Sequence, residues 1–117
     1  MQPMKPQNVS SRFEQSYRPP RPGIWTGRID DHHDRLAMRW HQIVQCFNLS
    51  QGVPQRPSPA ETVFCFIGFA VDEGVLLNQG REGARLGPDE IRRGICNFPI
   101  HFSEDTQLWD LGDIHCP

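Results

Sequence analysis

The chain has 117 residues, with 12 basic and 14 acidic side chains and a formal net charge of −2. This length predicts one domain with a small core. The near balance of charge argues against nucleic acid or an anionic membrane surface as a partner. No apolar run approaches the ~20 residues that span a bilayer, and the pattern of a signal peptide is missing, so we expect a cytoplasmic protein.

Residues 1–22 are polar and rich in proline, and they end in "SYRPPRP". Such a composition is typical of a segment that is disordered or extended over a surface. We therefore expect an arm over residues 1–22 and an α/β domain, or part of one, over residues 23–117. The cysteines form no C-x-x-C pair, and the sequence predicts buried or incidental thiols in a reducing compartment rather than disulfides or a zinc site. They are Cys46, Cys65, Cys96 and Cys116.

The segment Arg35–Phe47 carries apolar residues at helical spacing, which predicts an amphipathic helix with Asp34 as its N-cap. The apolar positions are Leu36, Trp40, Ile43, Val44 and Phe47. A loop is expected after this helix, because residues 48–59 are rich in Gly, Pro, Ser and Asn.

The run Thr62–Ala70, "TVFCFIGFA", is almost wholly apolar and predicts a strand buried on both faces of a parallel sheet. A helix is expected to begin at Gly87-Pro88-Asp89-Glu90, because proline and acids favour the first turn, with Ile91 and Ile95 facing the sheet. Gln107–Leu111 predicts a second strand, which completes a right-handed βαβ unit. About two strands and two helices are too few for a parallel sheet, so we favour a piece of a larger α/β protein over a very small domain.

The loop between the first strand and this helix lies where open α/β sheets bind ligands. Arg81 or Arg85 could hold a carboxylate, and Asn78 can both donate and accept hydrogen bonds. A structural turn with solvated charges is the alternative interpretation. A nucleotide-binding loop is disfavoured, because neither G-x-G-x-x-G nor G-x-x-x-x-G-K-[ST] is present.

Two acidic stretches look like metal sites. "DDHHD", residues 30–34, places its ligands side by side on a polar loop, so a helix-capping turn is the preferred interpretation. In "DLGDIHC", residues 110–116, Asp110 and Asp113 are three residues apart and should point to opposite faces of a strand. Asp113, beside Gly112, is therefore expected to form a turn or brace a loop.

The stretch "FIGFAVDEGVLLNQGREGARLGPDEIRRGICNFP" resembles the opening of the arginase/agmatinase (ureohydrolase) family. There a buried strand leads into a loop with Gly, Asn and Arg and then into a "GP-x-x-[IL]-R" helix. The form "DEGV…NQGR" is most similar to the formimidoylglutamases. "WTGRID", "RWHQIV" and "LWDLGDI" match in order and spacing, so the resemblance covers about residues 24–116.

This resemblance implies hydrolysis of N-formimidoyl-L-glutamate to L-glutamate and formamide, with two Mn²⁺ ions that activate a water molecule. It also implies the N-terminal part of a three-layer α/β/α sandwich around a mainly parallel sheet, and homo-oligomers. Hydrolysis of agmatine or of a guanidino acid is one alternative function. A small non-enzymatic α/β binding module is the other.

The metal-ligand motifs of that family, G-G-x-H, D-A-H-x-D and D-x-D-x-x-D-P, do not occur in this sequence. We therefore assign no metal ligand and no catalytic residue to the chain, and we expect an N-terminal portion that is inactive alone. By resemblance, Asn78 and Arg81 contact the glutamate part of the substrate, and Gly80 and Gly83 shape the loop. Asp72 and Glu73 are candidates for bracing it.

Overall fold

The computed structural model describes residues 11–78, 80 and 82–116. These residues form four α-helices and four strands. In order they are α1 (Ser11–Ser16), β1 (Tyr17–Arg18), α2 (Trp40–Ile43), β2 (Val44–Cys46), β3 (Thr62–Ala70), α3 (Glu73–Leu77), α4 (Gly87–Ile95) and β4 (Thr106–His115). Short 3-10 turns lie at Pro22–Ile24, Arg35–Ala37, Leu49–Gln51 and Ala84–Leu86.

The four strands form one mixed sheet with β4 at its centre. β3 pairs with β4 in parallel from Thr62, opposite Thr106, to Ala70, opposite His115. Because β3 occupies one edge of β4 along its length, β1 and β2 share the other edge. β2 is parallel to β4 and β1 is antiparallel. The fold is therefore mixed α/β with a partly parallel sheet.

The prediction of a helix over residues 35–47 is wrong. Only Trp40–Ile43 is α-helical, and Arg39 before it is extended, with φ −116° and ψ 163°. Val44–Cys46 then pairs with β4. Two β-branched residues, Ile43 and Val44, favour this change to a strand, and pairing with the sheet outweighs the helical spacing of the apolar positions. Asp34 does act as a cap, but of the 3-10 turn, where its carboxylate accepts the Leu36 N–H at 3.0 Å.

The expected strand Thr62–Ala70 and the helix that begins at Gly87 are confirmed. The predicted number of about two strands is too low, because β1 and β2 bring the number of described strands to four. The predicted strand at Gln107–Leu111 extends to Thr106–His115. In α4, Arg92 is the buried residue, whereas Ile91, which was expected to face the sheet, is exposed and lines with Ile95 an open groove beside β3.

A bulge interrupts the pairing of β3 with β4. Phe66 lies opposite Asp110, but Gly68 lies opposite Asp113, so β4 has one extra residue in this interval. Gly112 takes a φ of +93°, which an L side chain rarely adopts. The extra residue changes the alternation of side chains. For this reason Asp110 and Asp113 bind the same side chain instead of pointing to opposite faces.

Aromatic residues pack against both faces of the sheet. Trp40 packs on Phe66, Phe98 and Phe102, with ring centroids 5.6 to 6.2 Å apart. Trp109 packs on Phe47 at 4.7 Å. β3 was expected to be buried on both faces, and this is wrong, because Ala70 is its one buried residue. It lies at the outside of the sheet that the described residues form, so much of its apolar surface stays uncovered.

The described part of the proline-rich segment joins the sheet. Tyr17 is buried, and its hydroxyl donates a hydrogen bond to the carbonyl of Leu111. Residue 18 pairs with residue 113 across the antiparallel ladder. The division of the chain at residue 22 stays a prediction. None of the described helices has the length and apolar character needed to cross a membrane.

All four cysteines are free, with Cys96 buried and Cys65 and Cys116 exposed. Burial, helped by the negative charge of Asp110, raises the pKa of the Cys46 thiol to about 11. Because the thiolate is the reactive form, Cys46 should be a poor nucleophile at neutral pH.

Substitution by alanine should have opposite effects on stability at Gly112, which lies in the bulge, and at Gly94, which lies in α4. Gly112→Ala should lower the free energy of unfolding by more than about 1 kcal/mol, because a Cβ would lie 2.3 Å from the Arg18 carbonyl at a positive φ. Gly94→Ala should raise it by about 0.5–1 kcal/mol, because this α4 glycine has open space around it. Urea unfolding of both variants measures the difference, and a Gly112→Ala protein as stable as the parent would contradict the bulge.

Candidate functional site

The loop after β3 is held closed by Asp72. One carboxylate oxygen accepts the backbone N–H groups of Gly83 and Arg85, at 3.1 and 2.9 Å, and the other accepts the Arg85 guanidinium at 2.9 Å. The N–H of Arg85, with further hydrogen bonds from Gly83 and the guanidinium, lowers the pKa of Asp72. Asp72 is therefore a brace that ties the start of the loop to its end.

The residues predicted to contact a substrate belong to this loop. Asn78 follows α3 and is exposed, and its backbone N–H donates to the Gly74 carbonyl at 3.3 Å. Gly80 is exposed as well. Gly83 has a φ of +132°, so it provides a backbone turn that other residues rarely adopt. Arg81 lies outside the described residues, and the substrate-binding roles stay predictions.

Arg85, the other arginine considered for carboxylate binding, is already paired within the protein. Its contact with Asp72 leaves the loop with an internal ion pair near α4. Glu73, considered as a second brace, lies exposed in the first turn of α3. Of the two acids, Asp72 is therefore the one that spans the loop.

Sequence reasoning missed the most highly connected charged residue, Arg92. Its Nε and Nη2 atoms donate to the two carboxylate oxygens of Asp110, both at 3.0 Å. Nη1 donates to Asp113 at 2.7 Å and to Asp89 at 3.4 Å, and Nη2 also donates to the Gly112 carbonyl at 2.9 Å. All five guanidinium N–H groups thus have acceptors. The signal was available, since Arg92 is the arginine of the "GP-x-x-[IL]-R" pattern.

Asp110 is fully buried, with 0% of its surface exposed. Besides Arg92, it accepts the indole N–H of Trp25 at 2.8 Å and the backbone N–H of Gly112 at 3.0 Å. Asp113 is shared, because its second oxygen accepts a guanidinium hydrogen bond from Arg18 at 3.0 Å. Asp113 was expected to form a turn or brace a loop. It lies in β4 instead, where its contacts join this strand to β1 and α4.

The charges of this cluster balance. Arg18, Arg21 and Arg92 face the three aspartates 89, 110 and 113, and Arg21 bonds to Asp89. Burial opposes the charged form of Arg92, but its hydrogen bonds to Asp110 and Asp113 prevail and raise its pKa. Burial would likewise raise the pKa of Asp89, and the Arg21 contact lowers it overall. With its donors used, Arg92 holds α4 on the sheet and is not free to bind a substrate.

The "DDHHD" stretch is a capping turn, as expected. Asp31 accepts the backbone N–H groups of His33 and Asp34 at 2.6 and 2.8 Å. Across residues 11–78, 80 and 82–116, no group of three or more His, Cys, Asp or Glu side chains could hold a metal ion. The described residues therefore do not fit the pair of Mn²⁺ ions that the resemblance implies.

An open groove of about 550 Å³ runs between β3 and α4. Its lining is apolar apart from Arg92. It includes Phe66, Ile67, Phe69, Pro88, Ile91 and Ile95. This groove lies beside the loop that Asp72 closes, since Ala84 and Gly87 also line it.

The sheet and the closed loop define an α/β protein with a candidate ligand-binding loop at the carboxyl end of a strand. Comparison with curated proteins identifies relatives that are similar in sequence. The chain is 43% identical over 100 residues to the formimidoylglutamase of Geobacillus kaustophilus, a match that covers 86% of the chain and 30% of that relative. It is 39% identical over 99 residues to the formimidoylglutamase of Clostridium tetani, covering 85% of the chain and 29% of the relative.

A third relative, the formimidoylglutamase of Chromobacterium violaceum, is 42% identical over 93 residues, which are 80% of the chain and 26% of the relative. No family model matches the chain, and no solved structure matches it significantly. Over 80–86% of its length the chain is thus homologous to formimidoylglutamases, and it spans 26–30% of the length of these three relatives.

The Arg92 cluster predicts a large loss of stability on Arg92→Met. Removing the cation leaves Asp110 and Asp113 buried without it, which should cost about 3–5 kcal/mol of unfolding free energy. Arg93→Met is the matched control, because Arg93 is exposed on the same helix and its ion pair among the described residues is with exposed Glu90, so a change within about 0.5 kcal/mol is expected. Urea unfolding measures both, and equal losses would contradict the bracing role of Arg92.

The Asp72 brace predicts a dependence of stability on pH. Its lowered pKa means that the brace stabilises the folded protein above the unfolded pKa of about 3.9, and that this contribution is lost as the pH falls through the lower folded value. Asp72→Asn should therefore be less stable than the parent at pH 7, and the gap should shrink below about pH 4. The midpoints of urea unfolding of both proteins, measured from pH 7 to below pH 4, test this prediction. Glu82→Gln, in the same loop, should follow the parent at every pH.

Proposed function

We propose that the chain carries part of a formimidoylglutamase-type hydrolase. Such an enzyme converts N-formimidoyl-L-glutamate and water to L-glutamate and formamide. The observation that carries the proposal is the match of 43% identity over 86% of the chain to a protein of that name. The loop at the carboxyl end of β3 supports it, because ligands of open α/β sheets bind at this end of the strands.

In this proposal Asn78 and Arg81 contact the glutamate part of the substrate. A guanidinium suits the carboxylates of glutamate, and an exposed amide can donate and accept hydrogen bonds. Gly80 and Gly83 shape the loop around them. The ion pair of Asp72 with Arg85 keeps the loop closed, which lowers the entropy lost when a ligand binds.

We also propose that the isolated chain does not hydrolyse the substrate. The Mn²⁺ ligands of the family have no counterpart among the described residues. The complete α/β/α sandwich has a third layer and further parallel strands. In this proposal they are formed by the part of the relatives that lies outside the match with this chain. A cytoplasmic homo-oligomer that acts on a small molecule, and not on nucleic acid or at a membrane, completes the proposal.

The alternatives predict different behaviour. A relative that hydrolyses agmatine or a guanidino acid would bind a substrate with a guanidinium group, whereas the names of the three relatives favour formimidoylglutamate. A non-enzymatic binding module would need no metal ligands, which agrees with the described residues. Such a module would bind a ligand but would not support catalysis in any context.

A chimera tests the proposed function. The 100 matched residues of the Geobacillus kaustophilus protein are replaced by the matching residues of this chain, and release of L-glutamate from N-formimidoyl-L-glutamate is measured with added Mn²⁺. We expect hydrolysis of this substrate and not of agmatine. Within the chimera, Arg81→Ala should raise KM about 10- to 100-fold, the range expected for a lost hydrogen bond to a charged group.

Glu82→Ala is the matched control, because Glu82 is an exposed charged residue of the same loop and should leave KM unchanged. The 117-residue chain alone should show neither hydrolysis nor tight Mn²⁺ binding by calorimetry. A folded chimera that hydrolyses agmatine, or that hydrolyses neither compound, would contradict the proposed function.

A further inference from the structure

A second cleft, with two arginines in its lining, lies between the end of the proline-rich segment and α4. It has a volume of about 400 Å³ and opens to solvent. We call it the arginine cleft, and its lining consists of Arg21, Gly23, Ile24, Thr26 and Arg93. None of these residues lines the groove beside β3 or belongs to the loop that Asp72 closes. The arginine cleft is therefore separate from the candidate substrate-binding loop.

The two arginines come from different elements that the fold holds together. Arg21 starts the 3-10 turn Pro22–Ile24, and its carbonyl accepts the Ile24 N–H at 3.1 Å. Arg93 lies in the last turn of α4. The buried Cys96 thiol donates to the Ile24 carbonyl at 3.4 Å, which fastens the 3-10 turn to the end of the helix. The cleft thus has two walls whose relative position is fixed.

Each arginine uses only part of its guanidinium group in an ion pair. Nη2 of Arg21 bonds to Asp89. Nη1 of Arg93 bonds to Glu90 at 2.7 Å. The other two nitrogens of each guanidinium have no hydrogen-bond partner in the described part of the chain. Neither acid lines the cleft, so the cleft offers cationic donors and no carboxylate.

These donors define the chemistry of a ligand. Guanidinium groups bind carboxylates and phosphates through paired hydrogen bonds, and two free nitrogens on each arginine suit more than one anionic oxygen. The exposed Thr26 hydroxyl can donate another hydrogen bond. A volume of about 400 Å³ is in the range of small-molecule sites. The cleft is therefore suited to an organic molecule with two negative charges.

We propose that the arginine cleft binds a small organic dianion, either a dicarboxylate or a phosphate monoester. Its anionic oxygens accept hydrogen bonds from Arg21 and Arg93, so the bound molecule joins the proline-rich segment to α4. A ligand that binds the folded chain and not the unfolded chain raises the stability of the fold. The inference goes beyond the proposed hydrolysis and does not depend on it, because the cleft shares no residue with the loop.

Urea unfolding and calorimetry of the 117-residue chain test the proposal. Succinate is the dicarboxylate probe, glycerol 2-phosphate is the phosphate monoester, and acetate is the monoanionic control. Sodium chloride keeps the ionic strength equal in all samples. We expect saturable one-to-one binding of at least one dianion and a midpoint of urea unfolding that rises with its concentration. Acetate should change neither quantity, and the dianion with the lower Kd identifies the preferred anionic group.

Two single variants locate the site. Arg93→Gln should raise the Kd of the bound dianion about tenfold or more, because a hydrogen bond to a charged group is lost. The side chain is exposed and its ion pair is with exposed Glu90, so the variant should keep the circular dichroism spectrum of the parent. Arg28→Gln is the matched control, because it removes the same charge from an exposed arginine that does not line the cleft. It should bind the dianion as the parent does.

Four outcomes would overturn the inference. The first is that neither dianion binds, and the second is that acetate stabilises the chain equally, which would show a general effect of salt. The third is a Kd that Arg93→Gln leaves unchanged or that Arg28→Gln raises by the same factor. The fourth is binding that Arg81→Ala abolishes and Arg93→Gln retains, which would assign the anion to the loop of the proposed function.

Discussion

The buried ion pairs of Arg92 with Asp110 and Asp113 are the interaction on which the rest of the structure depends. They join the middle of α4 to the centre of β4, and through Arg18 they also fix β1. Charged groups taken out of water cost several kcal/mol each unless their partners and hydrogen bonds are complete. Here the five N–H groups of Arg92 and the buried oxygens of Asp110 all have partners, so the cluster is compatible with burial.

This cluster in turn requires the bulge. On a regular strand, residues 110 and 113 would lie on opposite faces, and one arginine could not reach both. The additional residue in β4 and the positive φ of Gly112 turn both carboxylates toward α4. The bulge also leaves the Gly112 carbonyl free to accept from Arg92, so a local irregularity of the backbone supplies an acceptor as well as a direction.

The sequence predicted the elements whose signals are local. The apolar run of β3 and the proline with two acids at the start of α4 were sufficient for those elements. It failed for residues 35–47, where pairing of Val44–Cys46 with β4 depends on residues more than sixty positions away. It also failed for Arg92. An arginine is expected at the surface unless its charge is paired, and the carboxylates that permit its burial come from a strand distant in sequence. In the loop, Asp72 was a candidate brace, but only its distances to Gly83 and Arg85 distinguish a brace from a ligand contact.

The contrast between β3 and β4 shows what burial depends on. β3 has the more continuous apolar sequence, yet β4 is far more buried, although it carries two aspartates. β4 is paired on both edges, and α4 packs over it through Arg92, whereas β3 is paired on one edge. Position in the sheet therefore decides burial here, and composition does not. The guanidinium donors of Arg92 and the carboxylate oxygens of Asp72 have partners within the described residues, while much of the apolar surface of β3 stays exposed.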